Sequence, residues 1–460
     1  MSATLTPSPA PRTGRESLFS PAYRALTIGA VALVALFAFE ALAVGTAMPT
    51  VAAALDGIPL YAIAFAAPFA AAVLGFVASG IWCDARGPAR PILYGVGWFV
   101  TGLVIAGTAP VMELVVAGRA IQGFGSGMLS VALYVLVAKA YPEALHPRIF
   151  AAFAAAWVVP ALVGPALAGL IVAYVGWRWV FLLVPLLAVP AVLLVLPALR
   201  RAGAPVRERV PADARARIGW AAGAAVGAAL LHYGGQQRGA LAVVGVTVAL
   251  VSLLVCVPRL MPPGFLRAAR GLPTVIVLRG LAGAAFFGAE AFIPLLLTHE
   301  RGFEPAQAGL ALTVGAVFWS VGSWLQGRMR PPRSRATLPR AGLLLVAVGG
   351  MLVAAVLLPW MPVAVMMAGW GLAALGMGLT YPGLSVLTLE LSAPDEKGRN
   401  SSSLQLSESI FNAVVLAFGG ALLAGAAAPA RSTFLAGFGL AVLLALTGAA
   451  LAGRVVPRTG

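Results

Sequence analysis

Ionisable residues lie inside several of the long apolar stretches of this 460-residue chain, where they could carry protons or bind a charged ligand. The first is Glu40, which lies in the stretch 25–51, nine residues before Pro49. A charge at the centre of a membrane helix costs about 2.5–3.5 kcal/mol on insertion scales, so an acid there predicts a functional site. The alternative is a Glu that stays protonated, or pairs within the protein, and does nothing more.

Arg119 is the predicted partner of Glu40. The stretch 112–140 runs in the opposite direction, and both residues lie about 14 Å from the same end of their helices at 1.5 Å per residue. An Arg beside the acid favours the carboxylate, while desolvation favours the neutral form. A site balanced between these effects could bind and release a proton. The alternative is a static ion pair that holds two helices together.

Glu290, in the stretch 273–298, is the second acid predicted to lie within the membrane. Its neighbours Phe286 and Phe287 are apolar and no basic partner is evident, so desolvation would favour its neutral form. It could be a second proton site or the counter-ion of a cationic substrate; otherwise it lies near an interface and meets water. Arg279, near the start of the same stretch, is expected to extend to the interface in a structural role.

The segment GIWCDARGPAR (80–90) predicts a tight, charged turn between two apolar stretches. An acid in this turn could bind the N-terminus of a neighbouring helix or pair with an Arg, forming a latch that breaks between conformations. The alternative is an ordinary solvated loop. The predicted latch residues are Gly80, Asp84, Arg86, Gly87 and Arg90.

Proline and glycine recur in VPALVGPALAGL (159–170), at Pro160, Gly164, Pro165 and Gly169. Small residues let helices approach closely and proline permits a bend, although such patterns are frequent in membrane helices.

Aromatic side chains near the acids are candidates for the wall of a substrate cavity. These candidates are Phe39, Trp157, Phe286, Phe287 and Trp370. The three His residues do not cluster, so we predict no metal site. No nucleophile with a base and no phosphate-binding loop is evident, which argues against an enzyme.

The composition indicates a polytopic membrane protein. Charged residues make up 10% of the chain and hydrophobic residues 61%, whereas a soluble domain has about 25% charged residues. The net charge of +16 could indicate a nucleic-acid partner, but the basic residues fall in short loops between apolar stretches, where they report topology instead. We therefore expect no nucleic-acid partner. Cys83 and Cys256 fit neither a disulfide framework nor a metal motif.

The apolar stretches predict an all-α fold of fourteen transmembrane helices. They are 25–51, 60–83, 91–109, 112–140, 149–175, 179–199, 218–233, 240–257, 273–298, 306–327, 338–358, 362–389, 403–428 and 432–452. The stretch 218–233 is the weakest of them, because it rises only about 24 Å against a hydrocarbon core of about 30 Å.

The predicted organisation is two pseudo-symmetric six-helix bundles, 25–199 and 273–452, with two additional helices at 218–260. Residues 1–24 read as a disordered cytoplasmic tail and 200–217 as an Arg-rich cytoplasmic linker. No signal peptide is expected before the first helix. Basic residues concentrate in alternate loops, with few exceptions outside (Arg178, Arg238, Arg301 and Arg431), which predicts a multi-pass protein of the cell membrane with both termini in the cytoplasm.

An internal repeat underlies the two bundles. GRAIQGFGSGMLS (118–130) aligns with GWGLAALGMGLTY (369–381) at an offset of 251 residues, without a gap until Arg148 meets Arg399. At nearly the same offset Glu40 meets Glu290, whereas Arg119 meets Trp370. Parallel repeats with a site at their interface are the plan of one large transporter architecture.

These segments together resemble the major facilitator superfamily, and within it the fourteen-helix drug:proton antiporter branch. FEALAVGTAMP (39–49) is similar to the first-helix motif of that branch, which implies proton coupling at Glu40. GIWCDARGPAR (80–90) resembles the superfamily's loop motif, with Ala85 and Pro88 in place of basic residues, which implies a weaker latch.

Later segments carry the same resemblance. GRAIQGFGSG (118–127) resembles the fourth-helix motif, which implies a proton-transfer role for Arg119. VPALVGPALAGL (159–170), followed by GWRWVF (176–181), resembles the antiporter motif and implies export rather than uptake. The additional helix pair and PPGFLRAARGLP (262–273) are also similar to the fourteen-helix branch.

We therefore predict a proton-coupled exporter of hydrophobic or cationic small molecules that works by alternating access of the two bundles. It is expected to act as a monomer in the bilayer, with the proton gradient as its energy source and no cofactor. One alternative is a dedicated exporter of a lipid or secreted metabolite. Another, of a different class, is a non-transporting membrane scaffold.

Overall fold

The computed structural model describes residues 17–201, 211–234, 237, 239–329, 335–424 and 431–456. Side chains are described for all of these except 59, 62, 200–201, 241, 305–310 and 423–424. Most of the predicted tail 1–24 and the centre of the predicted linker 200–217 therefore lie outside the described residues. Within these ranges the chain is helical throughout and contains no strand.

The described ranges form α-helices that we number in chain order. They are α1 (Arg24–Ala54), α2 (Tyr61–Arg86), α3 (Ala89–Thr108), α4 (Met112–Ala140), α5 (His146–Ala155), α6 (Val158–Tyr174), α7 (Arg178–Arg201), α8 (Ala214–Gly234), α9 (Ala240–Leu260), α10 (Leu272–Arg301), α11 (Pro305–Arg328), α12 (Thr337–Ala355), α13 (Val363–Glu390), α14 (Lys397–Ala424) and α15 (Arg431–Leu451).

The prediction of an all-α membrane protein is confirmed. Since α5 and α6 form one pass, the described helices make fourteen passes, of which 12 are long and apolar enough to cross a membrane. The other two are α8 and α11. The stretch predicted at 218–233 is longer than expected, because α8 begins at Ala214 and extends about 31 Å.

The break between α5 and α6 has a local cause. Pro160 has no N–H to donate to the carbonyl of Ala156, and its ring clashes with that carbonyl in a regular helix. The chain accordingly leaves the helix at Ala156 and Trp157 and restarts at Val158. The fifth pass is therefore kinked beside the predicted antiporter motif.

Helix packing repeats between the first bundle (α1–α7) and the second bundle (α10–α15). In the first bundle α4 packs between α2 and α3, and α1 packs against α6 and α7. In the second bundle α13 packs between α11 and α12, and α10 packs against α14 and α15. The same arrangement in both bundles is what the sequence repeat predicts.

The contacts between the bundles obey the same pseudo-symmetry. Helix α2 crosses α14, and α5 crosses α11 in the equivalent position. The additional pair breaks this symmetry, since α8 packs against α9 and also covers α2 and α14. Apolar residues from all three elements, including Ile81, Ala221 and Leu404, form one buried cluster there.

The closest approaches between the bundles lie towards one face of the molecule, which we call the latch face. It is the face at which α2 ends and α14 begins. A Cβ on Gly80 would lie 2.8 Å from the carbonyl oxygen of Gly398, so the two helices touch backbone to backbone. At the equivalent crossing, a Cβ on Gly327 would lie 3.2 Å from the Cβ of Ala151. The bundles are thus closed against each other at the latch face.

Candidate functional site

Glu40 and Arg119 form a buried ion pair between α1 and α4. Arg119 donates from Nη1 to Glu40 Oε1 at 2.5 Å, and the side chains of Arg119 and Glu40 are only 6% and 2% exposed, respectively. Arg119 Nη1 also donates to Gln122 Oε1 at 2.5 Å, and Nε donates to the carbonyl oxygen of Ala64 at 3.4 Å. The guanidinium is therefore held by groups from α1, α2 and α4.

Glycines in α4 make room for a charged pair in the interior. A Cβ on Gly118 would lie 2.7 Å from the backbone of Gly102 and Ala106, and Gly125 is packed against α3 in the same way. Because α4 can lie directly on α3, it occupies the centre of its bundle and carries Arg119 and Gln122 away from lipid. Sequence reasoning did not single out Gln122; its place one turn after Arg119 was the available signal.

Glu290 lies half-buried on α10, beyond the aromatic residues of the same helix. Neither a hydrogen bond nor an ion pair to Glu290 is present among the side chains that the structure describes. No contact in the described part of the chain joins Glu290 to Arg119. The lack of a basic partner from α13 agrees with Trp370 in the position equivalent to Arg119.

The predicted cavity aromatics fall into two groups. In the second bundle Phe286 stacks on Trp370 with ring centroids 4.3 Å apart, and Trp319 contacts both Phe286 and Phe287. Trp319 also meets Tyr381 at 5.0 Å, so that aromatic rings continue from α10 through α11 to α13.

The aromatic candidates of the first bundle lie beside the kinked fifth pass. Trp157 packs edge-on against Phe37 at 5.7 Å and is 39% exposed. Phe39 is half-buried, and a Cβ added to Gly164 would lie 3.7 Å from its ring. In the closed conformation the two aromatic groups therefore lie in different bundles.

Arg279 does not extend to the interface, and that expectation was wrong. It is 6% exposed and donates from Nε to Glu408 Oε2 at 2.6 Å, while its guanidinium lies 3.7 Å above the ring of Tyr381. Its Nη1 also donates to Ser385 Oγ at 3.2 Å and to the carbonyl oxygen of Tyr381 at 3.3 Å. A carboxylate on α14 holds the Arg inside the bundle.

Glu408 is the acid that sequence reasoning missed. The predicted helix at 403–428 placed it near a helix end, where a Glu meets water. Helix α14 instead begins at Lys397, which puts Glu408 about 16 Å along it. The polar run NSSSLQLSES was the reason for the late predicted start, and buried serines such as Ser402 and Ser407 show that this run packs inside the protein.

The predicted latch is partly assembled. Asp84 is buried and accepts two backbone hydrogen bonds at the start of α14, from Gly398 N at 2.6 Å and Arg399 N at 2.8 Å. A carboxylate in this position satisfies free N–H groups and interacts favourably with the helix dipole. Gly80 permits the crossing itself.

The remaining latch residues play different parts. Gly87 ends α2 with φ +77°, a conformation that favours glycine. Arg86 and Arg90 are both exposed, and neither makes an ion pair within the described ranges. The latch therefore relies on Asp84 and a helix N-terminus, with no basic residue from its own loop.

The predicted antiporter-motif helix packs on α1. Pro160 and Gly164 are buried, and a Cβ on Gly164 would lie 3.7 Å from Phe39 and 3.9 Å from Leu42. Pro165 is exposed and Gly169 faces open space. Pro160 and Gly164 thus shape the helix next to Glu40, while Pro165 and Gly169 make no comparable contact.

This geometry can bind a proton in a place that water cannot reach in the closed conformation. In a low-dielectric interior, a carboxylate and a guanidinium stabilise each other's charge, and separating them favours protonation of the acid. A movement of α1 relative to α4 would therefore change the affinity of Glu40 for a proton.

Comparison with known proteins places this geometry in a family. A family model described as Major Facilitator Superfamily matches residues 30–374. The chain is 27% identical to a probable multidrug-efflux transporter of Mycobacterium tuberculosis, over 88% of this chain and 89% of the relative. It is also 27% identical to the methylenomycin A resistance protein of Streptomyces coelicolor, over 72% of this chain and 71% of that protein.

A solved structure shares the fold. The crystal structure of a bacterial homologue of the iron transporter ferroportin, in an outward-facing state, superposes with a TM-score of 0.69 at 13% identity, over 93% of this chain and 98% of that one. At this identity the likeness concerns the fold alone.

Proposed function

Since the chain belongs to the major facilitator superfamily, and is a membrane transporter rather than an enzyme, we propose that it exports hydrophobic or cationic small molecules in exchange for protons. The relatives named above include a multidrug-efflux transporter and an antibiotic-resistance protein, which supports export of small molecules. In this proposal the proton gradient is the energy source, and the protein works as a monomer in the cell membrane.

The observation that carries the proposal is the buried pair of Glu40 and Arg119. Replacing such a pair with packed apolar residues is often neutral or stabilising, so stability alone gives little reason to keep it. A static scaffold would have no use for it. As a proton switch, Glu40 is ionised while Arg119 is close and is protonated when the helices separate.

Glu290 then acts as the counter-ion of the cargo. It is an acid without a described basic partner, on the same helix as Phe286 and Phe287 and about one turn from them. Aromatic rings attract a cation over their faces, and a carboxylate completes such a site. The cargo and the proton of Glu40 thus bind in different bundles.

The latch face is the cytoplasmic face in this proposal, because the loops on that side carry most of the basic residues. The closed latch then corresponds to a conformation that opens outward. Opening of the latch would present the site to cytoplasmic cargo.

The test uses the purified full chain in proteoliposomes loaded with a fluorescent cationic dye. An imposed pH gradient should drive dye movement by the wild type, and Glu40→Gln should abolish the gradient-driven component. The matched control is Glu113→Gln, which removes an acid near the start of α4, one turn or more from Arg119. Equal dye movement by wild type and Glu40→Gln would refute the assignment of the proton switch.

A further inference from the structure

A second carboxylate–guanidinium pair lies in the second bundle. Arg279 on α10 and Glu408 on α14 are joined at 2.6 Å, as Arg119 on α4 and Glu40 on α1 are joined at 2.5 Å. The repeat does not relate the two pairs, because the residues that align with Arg279 and Glu408 carry no charge (Gly29 and Trp157). Each bundle therefore has its own buried acid with a basic partner, placed on different helices.

The second pair is less deeply buried than the first. The side chain of Glu408 is 19% exposed, whereas that of Glu40 is 2% exposed. Arg279 donates to Oε2 of Glu408, and Tyr381 also interacts with this carboxyl group. Glu408 is therefore the more accessible of the two paired acids in this conformation.

The protonated form of Glu408 would find an acceptor already in place. Asn412 lies one turn further along α14, and its buried Oδ1 has no hydrogen-bond partner among the described residues. Glu408 and Asn412 flank one point of α10, since a Cβ on Gly283 would lie 3.4 Å from Glu408 Cγ and 2.9 Å from Asn412 Oδ1. A carboxylate cannot donate to this oxygen, but a carboxylic acid can.

The second pair is also connected to the closed interface. Arg279 donates to Ser385 Oγ, and Ser385 Oγ lies 3.0 Å from the hydroxyl of Tyr134 on α4. Tyr134 belongs to the first bundle and Ser385 to the second, so this hydrogen bond crosses between them. Loss of charge on Glu408 would remove the ion pair of Arg279, which also donates to the serine that joins α13 to α4.

Two charged or titratable groups interact with Glu408: Arg279 from α10 and Tyr381 from α13. Tyr134 from α4 interacts with Arg279 and Tyr381 in turn. The other neighbours of α14 carry their charges at their ends. Those residues are Asp84 and Arg86 on α2, Arg215, Arg217 and His232 on α8, and Arg431 on α15. Arg279 is therefore the charge that protonation of Glu408 affects.

We propose that Glu408 is a second proton-coupling carboxylate, and that each transport cycle exchanges two protons for one cargo molecule. This rests on the proton-coupled export proposed above. Glu408 takes a proton from the water of the open cavity, breaks its ion pair with Arg279 and bonds to Asn412. The proton leaves to the other side when the bundles reopen, and the carboxylate pairs with Arg279 again.

The first test needs no cargo. Infrared difference spectra of the full chain in lipid, taken between acid and alkaline pH, report the absorption of protonated carboxyl groups. We expect the buried carboxyl signals to include one that is absent in Glu40→Gln and another that is absent in Glu408→Gln. Glu300→Gln is the matched control, because Glu300 also pairs with an Arg (Arg431, 3.0 Å) but at the end of α10. Identical spectra for wild type and Glu408→Gln would overturn the proposal.

The second test measures the number of protons. Proteoliposomes held at zero membrane potential receive a fixed pH difference and a series of opposing gradients of tetraphenylphosphonium, a hydrophobic monovalent cation. The cation ratio at which the protein-dependent movement reverses is determined after the leak through protein-free liposomes is subtracted. Each coupled proton multiplies the cation ratio tenfold per unit of pH difference, so the ratio should be about 100-fold per unit for wild type and about tenfold for Glu408→Gln. Glu408→Asp keeps the carboxylate and should return the ratio towards that of wild type, which excludes a folding defect as the cause.

The two tests separate this proposal from the function on which it rests. A wild-type ratio of about tenfold per pH unit would contradict two-proton exchange while leaving proton-coupled export intact. No pH-driven movement of the cation by wild type would count against the proposed export, and the infrared signal of Glu408 would still decide whether that residue holds a proton.

Discussion

At the scale of single residues, the interior of this transporter is organised by two ion pairs. The sequence could predict the first, because Glu40 and Arg119 are each nine residues from a proline that marks the same end of their helices. It could not predict the second, because the depth of Glu408 depends on where α14 begins. That start is fixed by tertiary contacts, among them the two hydrogen bonds from its first turn to Asp84.

Removal of one partner from the first pair should destabilise the protein strongly. Arg119→Ala leaves Glu40 buried without a counter-charge, and breaking a buried pair in this way costs about 3–5 kcal/mol. We expect the double variant Glu40→Gln with Arg119→Ala to recover part of this loss, because no uncompensated carboxylate remains. Thermal unfolding in detergent, monitored as the loss of monodisperse protein, measures the stability of both variants.

An exposed pair provides the control for this prediction. Arg335 and Glu390 lie 3.1 Å apart, and their side chains are 50% and 29% exposed. Arg335→Ala should cost no more than about 1 kcal/mol, as expected for a pair screened by water. An Arg119→Ala protein as stable as Arg335→Ala would show that Glu40 is not held ionised by Arg119.

At the scale of helices, the latch is a contact between a side chain and a helix end. The sequence motif predicted an acid at this turn, and the structure supplies its partner, which the sequence could not: the backbone N–H groups of Gly398 and Arg399, 314 and 315 residues away. The basic residues of the same loop, Arg86 and Arg90, remain exposed because α2 ends at Gly87 and turns them outward.

Asp84→Asn should weaken closure of the latch face. An amide keeps one acceptor but loses the charge, and an ionised cap at a helix N-terminus contributes about 0.3–2 kcal/mol. We expect faster labelling of a cysteine introduced at Ser402, which lies in the crossing of α2 with α14. The native Cys83 and Cys256 are replaced beforehand, since both are free thiols.

The control for this variant is Arg86→Ala, two residues away and exposed. It should leave labelling at Ser402 unchanged, because Arg86 makes no described contact across the crossing. Labelling accelerated equally by both variants would mean that the net charge of the loop, rather than the cap on α14, controls closure.

The kink in the fifth pass is the second prediction at this scale. Pro160→Ala restores the N–H that a regular helix would bond to Ala156, so α5 and α6 should join into a straighter helix. Spin labels placed at Ala151 and Leu170, one on each side of the break, should show a longer and narrower distance distribution in the variant. Pro165→Ala, within α6 itself, is the matched control and should change the distance less.

At the scale of the whole molecule, the sequence predicted the all-α fold and its repeat, because hydrophobic stretches and glycine spacing are local signals. It could not predict that α8 and α9 cover only one of the two equivalent crossings, since their apolar sequence does not specify which helices they pack against. The asymmetry has a consequence at Arg217, which is 8% exposed and lies on the face of α8 that also carries Ala214 and Ala221.

Arg217 completes the latch from outside the loop motif. Its electrostatic neighbours are Asp84, Asp213, Glu396 and Arg399, which places it beside the cap on α14. The loop has Ala85 and Pro88 where the superfamily motif has basic residues, and Arg217 brings a cation from α8 close enough to interact electrostatically with Asp84. The additional helix pair thereby stabilises the closed conformation at the crossing that it covers.

Loss of Arg217 should have an effect confined to one side of the molecule. Arg217→Ala should accelerate labelling of a cysteine at Ser402, in the crossing of α2 with α14. It should not affect a cysteine at Ala151, in the equivalent crossing of α5 with α11 that α8 does not reach. Arg215→Ala is the matched control, because Arg215 belongs to the same turn of α8 and is exposed. Equal acceleration at both crossings would mean that Arg217 acts on the global balance between conformations, in which case the additional helices are not a local clamp on the latch.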